Sequence, residues 1–139
     1  MLVLDKTIFE QLKSEAVDIF PDECCGFLFG SETNGERIIS VIRPALNNKE
    51  GDKRRRFEIS PKDYLQAERF ATANNVTLLG IYHSHPQHPA LPSETDRLAA
   101  QPFFSYLIIP VKDQVPGAFR SWLLNEEHYF DEETIIINL

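Results

Sequence analysis

The run VTLLGIYHSH, residues 76–85, restricts the fold more than any other stretch. It is apolar enough to lie at the centre of a sheet, and it delivers two histidines at its end. Side chains alternate across a strand, so His83 and His85 point to one face while Tyr82 and Ser84 point to the other. Two imidazoles therefore converge where the strand gives way to PQHPALPSETD. Pro86, Pro89 and Pro92 restrict the backbone there, and a loop stiffened in this way is able to return Asp96 toward the histidines. Two imidazole nitrogens and one carboxylate suit zinc, and three protein ligands plus water is the arrangement of a catalytic zinc rather than a structural one. Ser93-Glu94-Thr95-Asp96 reads equally well as the capping box of a short helix over residues 93–100. On this stretch alone both readings stay open. A helix start is a rigid mount for Ser93 and Asp96, but capping does not account for the histidine pair.

The rest of the chain supplies a mixed α and β frame. Residues 5–20 carry Ile8, Leu12, Ala16 and Ile19 at helical spacing, and Pro21 ends the stripe, which predicts an amphipathic helix. Residues 24–30 form a short apolar run that predicts a buried strand, bounded by the turn-rich SETNG, with its hairpin partner over residues 37–45. Residues 46–53 have the charged, turn-rich composition of an exposed loop, whose tip is free to contact a substrate. A strand is expected over 54–59. Ser60 as N-cap, Pro61 at the first helical position and Asp63 as the following acid predict a second helix reaching about residue 75. Further strands are expected over 106–111, 118–124 and 134–139.

At 139 residues the chain has the size of one domain, residues 1–139, with a core large enough to need no staples. Hydrophobic residues at 42% and charged residues at 25% exclude a disordered or collagen-like chain. The net charge of −7 disfavours a general nucleic-acid binder, leaving Lys53-Arg54-Arg55-Arg56 as the one strong basic run, read as a solvated strand edge. The first fifteen residues resemble neither a signal peptide nor a membrane span, so a cytoplasmic protein with no membrane partner is expected. Cys24 and Cys25 are adjacent and are the only cysteines; their spacing fits no CxxC pair or disulfide framework.

A second fragment bears on the histidines. Pro21-Asp22-Glu23-Cys24-Cys25-Gly26 puts an acid where the first helix gives way to a buried strand, and a carboxylate entering a core is costly unless something satisfies it. Either Glu23 turns to solvent, or it faces a group such as a zinc-activated water that gives it a proton. Together, Glu23 and then His83-Ser84-His85, seven residues, Ser93, two residues and Asp96 resemble the JAMM (MPN+) zinc metalloprotease family at every signature position. The order of strands and helices is similar to that family's fold over nearly the whole chain.

The resemblance implies a mixed α/β (α+β) fold with a central mixed sheet flanked by helices, similar to the cytidine-deaminase-like architecture. It implies one Zn2+ per chain, held by His83, His85 and Asp96 with a water as fourth ligand. Glu23 would be general base and then proton donor to the leaving group, and Ser93 would help hold the tetrahedral oxyanion. Cys24 and Cys25 then read as packing, and His88 as a surface histidine at no signature position. The implied substrate is an amide or thioester-like bond at the C-terminal tail of a ubiquitin-like or sulfur-carrier protein, because the chain is close to the family's minimal core. Such a tail is expected to bind extended beside an exposed strand. A zinc peptidase for cell-wall or phage-tail peptides and a non-catalytic scaffold are the alternatives, and a homodimer is compatible with either. A cytidine deaminase would need H-x-E and a later P-C-x-x-C, and the chain has neither.

Overall fold

The computed structural model describes residues 1–54 and 56–139. Among these, nine strands form one mixed sheet in the order β8-β7-β5-β4-β2-β3-β1-β9, with β6 paired to β5. The strands are β1 (Leu2–Asp5), β2 (Cys25–Thr33), β3 (Glu36–Ala45), β4 (Thr77–Pro86), β5 (Ser105–Lys112), β6 (Val115–Pro116), β7 (Arg120–Leu124), β8 (Phe130–Glu133) and β9 (Ile135–Asn138). The helices are α1 (Lys6–Ile19), α2 (Pro61–Ala73) and α3 (Glu94–Ala99). No helix among the described residues is long and apolar enough to cross a membrane.

The apolar run anticipated as a central strand is β4, which lies between antiparallel β2 and parallel β5 and is buried from Leu78 to Pro86. Its side chains divide the core in two, with a register irregularity at Leu79 opposite Leu28 and Phe29 setting which residues share a face. Leu79 and Tyr82 pack with Ile8, Leu12 and Ala16 of α1, while Leu78 and Ile81 pack with Ala67 and Ala71 of α2 on the opposite face. His83 and His85 share the α2 face with Ile81. Close strand approach beside the site needs glycine: a Cβ on Gly26 would lie 2.3 Å from the Tyr82 hydroxyl oxygen and 2.6 Å from the Arg43 carbonyl oxygen.

The helices begin where the capping residues require. The Asp5 side chain accepts the Ile8 N–H at 2.8 Å, and Ser60 accepts the Asp63 N–H at 3.1 Å with Pro61 behind it. Ile19, counted in the apolar stripe, is 45% exposed and does not join the core.

Three expectations need correction. The first apolar strand does not stop at Gly30, because Ser31, Glu32 and Thr33 continue the ladder with β3 and only Asn34 and Gly35 take left-handed turn geometry. The strand expected over 54–59 is not formed: Arg55 lies outside the described residues, and residues 56–60 are irregular. Their backbone bonds go to one side chain and one loop amide instead of a ladder. Asn47 donates to the Arg56 carbonyl and accepts the Glu58 N–H, and Asn48 N–H donates to the Glu58 carbonyl at 2.8 Å. Finally, residues 134–139 are preceded by β8, which pairs with β7, and β9 joins the far edge beside β1.

Candidate metal centre

Three segments distant in sequence meet at the C-terminal end of β4, where it runs parallel to β5; the crevice beyond such strand ends is a usual place for a ligand. His83 and His85 project from the strand end with their Nε2 atoms 3.0 Å apart. Asp96 projects from α3, and its Oδ2 lies 3.4 Å from each of those nitrogens. His83 is 1% exposed and His85 8%.

The outer nitrogen of His85 shows how that ring is held. His85 Nδ1 lies 2.8 Å from the Pro89 carbonyl. A carbonyl only accepts, so Nδ1 carries the proton and donates it, which leaves the Nε2 lone pair facing His83 and Asp96. The proline-rich loop supplying that carbonyl is itself anchored, since the Trp122 indole donates to Ala90 O at 3.1 Å. The His83 ring stacks on Phe57 at 4.4 Å between centroids.

The capping box and the acid–histidine cluster use the same residues. Asp96 Oδ2 accepts the Ser93 N–H at 2.8 Å while Ser93 Oγ accepts the Asp96 N–H at 3.0 Å. The cap therefore fixes the carboxylate rotamer that reaches the two imidazoles. Ser93 keeps its own hydroxyl hydrogen for donation, and it borders an open cleft together with Glu23, His85, His88 and Arg56. His88 is exposed there, its ring edge-on to His85 at 6.4 Å, and is not one of the converging groups.

Glu23 arrives from the other side. Ser84, on the opposite face of β4 from the histidines, stitches it in place: Ser84 Oγ accepts the Cys24 N–H at 2.9 Å, and Ser84 N–H donates to Cys24 O at 3.1 Å. Glu23 is 2% exposed, and it offers a carboxylate oxygen in a group with His83 and His85 whose atoms all lie within 4.8 Å of one another. Asn47 ties the loop over residues 46–53 to this point, donating to the Glu23 carbonyl at 3.2 Å. Sequence reasoning singled out neither Ser84, beyond its place in the signature, nor Asn47 and Phe57. Only the turn-forming character of Asn47 hinted at a role.

Burial first, and then the charges of Asp96 and Asp52, push the Glu23 carboxyl up to about 9; a cation held beside it by the histidines would oppose that shift and free the carboxylate to accept a proton. Burial also opposes charge on Asp96, but the histidine contacts and the Ser93 N–H hold its carboxyl well below the usual carboxylate range. Burial lowers the pKa of His83 despite the opposing pull of Asp96. Neutral imidazole beside an ionised carboxylate is the protonation state in which both can ligate a metal. Burial pushes the Cys24 thiol up to about 12 and raises Cys25 as well, so both are protonated packing groups.

Comparison with known proteins places the chain in a family. The family described as prokaryotic homologs of the JAB domain matches residues 5–125. The chain belongs to this JAB (JAMM/MPN) family. Over 134 residues this JAB protein is 30% identical to the desampylase of Pyrococcus furiosus, an alignment that covers 95% of the chain and 84% of that enzyme. A solution structure of a Desulfitobacterium hafniense protein superposes with a TM-score of 0.87 at 34% identity, covering 99% of this chain and 93% of that one. A JAB1/MPN domain protein from Archaeoglobus fulgidus, at 16% identity and a TM-score of 0.58 over 100% of both chains, shares the fold. The desampylase relative indicates a hydrolase of the JAB family.

Proposed function

We propose that the chain, acting as a single catalytic domain over residues 1–139, is a zinc-dependent hydrolase. Its substrate is an amide or thioester-like bond at the C-terminal tail of a ubiquitin-like or sulfur-carrier protein. The observation that carries the reading is the triangle of His83 Nε2, His85 Nε2 and Asp96 Oδ2, with edges of 3.0, 3.4 and 3.4 Å. Ligands at ~2.0–2.1 Å from a tetrahedral zinc lie about 3.3–3.4 Å from one another, so the triangle has the dimensions of one face of such a site. Glu23 also belongs to the cluster, but the triangle already supplies three ligands, which leaves the Glu23 carboxylate for proton transfer.

When bound, zinc supplies Lewis-acid polarisation of a carbonyl and a lowered pKa for water. The chain's own groups do the rest. Glu23 takes a proton from the attacking water as the new C–O bond forms. Ser93 donates its hydroxyl hydrogen to the developing oxyanion, with its position fixed by the α3 cap. When the C–N or C–S bond breaks, the proton held on Glu23 passes to the leaving amine or thiol. The Pyrococcus relative, a desampylase by name, supports a protein-tail substrate for this chain.

The test is hydrolysis of C-terminally extended sulfur-carrier and ubiquitin fusions, read by intact mass. The wild-type chain is expected to release the extension, and Glu23→Gln to slow release by about 10²–10⁴-fold. Full activity in Glu23→Gln would assign the proton transfer to another group.

A further inference from the structure

Beside the metal centre lies a second cavity, of about 300 Å3, distinct from the open cleft that Glu23 and Ser93 border. Its walls come from α2, β4, α3 with the residues that flank it, β5, β8 and the irregular segment before α2. Ile59, Ile81, Ile108, Ala99 and Phe130 make its apolar lining. His83 and Asp96 form its wall toward the metal centre, whereas His85 faces the open cleft. Arg56 and Thr95 border both spaces, so the two meet at these residues. The mouth is cationic: Lys49 and Arg56 face it against Glu58, and Arg56 is exposed.

Size and lining select the occupant. An apolar cavity of about 150 Å3 already admits benzene, so this one holds an aromatic ring with room to spare. It is more enclosed than the cleft that Glu23 and Ser93 border. An extended tail therefore fits the cleft better, and the cavity suits the side chain of the residue across the scissile bond. If that residue is the terminal one, its α-carboxylate falls at the cationic mouth.

We infer that this cavity is the specificity pocket for the released residue. It takes a large apolar side chain, with an aromatic one fitting best, and Arg56 holds the α-carboxylate. The assignment rests on the hydrolase reading above, and its test separates the two. L-Phenylalanine and L-alanine are titrated into the folded protein, and the methyl resonances of Ile59, Ile81 and Ile108 are followed by NMR. In parallel, carrier fusions ending in a single extra Phe or Ala are compared for kcat/KM.

Phenylalanine is expected to shift those methyls saturably and alanine to leave them unmoved. The Phe fusion is expected to be cleaved about 10–200-fold more efficiently than the Ala fusion. Ala99→Trp, which fills the pocket, should abolish both the shifts and the preference. Arg56→Gln, which leaves the lining intact, should weaken phenylalanine binding about tenfold or more, as for loss of a charge-assisted contact. Saturable shifts without cleavage of any fusion would support the pocket and contradict the hydrolase reading. Cleavage with equal rates for Phe and Ala and no methyl shifts would overturn the pocket, as would a preference that follows the residue before the scissile bond.

Discussion

Asp96 serves two structures through one oxygen. Its Oδ2 accepts the N-cap N–H of Ser93 and also faces both imidazole Nε2 atoms. The two readings of SETD that compete in the sequence are thus one arrangement. The residue types at Glu23, His83, His85, Ser93 and Asp96 were legible in the sequence because their spacing is fixed by the chain. Asn47, Phe57 and the stitch through Ser84 were not, since each acts on a partner that only the fold brings near. Ser93 gives a prediction at this scale. Gly is tolerated at an N-cap within a few tenths of a kcal/mol, but it has no hydroxyl. Ser93→Gly should therefore keep the melting temperature within a few degrees and lose about 10²–10³-fold in kcat, as for other oxyanion donors. Equal losses of stability and activity would reduce Ser93 to a cap.

At the scale of elements, helices and the β2–β3 hairpin were readable because caps and periodicity are local. The short strands β1 and β8 were not, because each is defined by its partners: β1 lies parallel to β3 and β9, and β8 pairs with β7. The segment over 54–59 has a strand-like pattern, yet Asn47 captures its backbone groups and diverts it over the site. The packing of α1 on β4 carries a pH dependence. Tyr82 donates to Glu15 Oε1 at 2.6 Å, and burial outweighs that bond to raise Glu15 from 4.5 to about 7. An acid whose pKa is raised by folding binds more protons folded than unfolded, so stability falls as pH rises. Its contribution is complete below about 4.5 and is lost by about 7. Glu15→Gln should flatten the melting temperature between those limits and raise it at pH 8. An unchanged slope would mean that Glu15 is solvated in the folded protein.

The whole molecule is a sheet whose central strand ends at the site, with α1 on one face and α2 and α3 on the other. Glu23, the histidine pair and the Ser93–Asp96 cap come from three segments that only this topology joins. The sequence signature identified the family that the comparisons show, but it contained no trace of the pocket behind His83, which six elements and segments build together. The central claim is that His83, His85 and Asp96 hold the metal while Glu23 moves the proton. Zinc content by elemental analysis of protein purified without chelator tests it most directly. The account predicts about one zinc per chain in the wild type and in Glu23→Gln, and near none in folded Asp96→Ala. Zinc retained by Asp96→Ala and lost from Glu23→Gln, or a folded wild-type protein free of zinc, would contradict it.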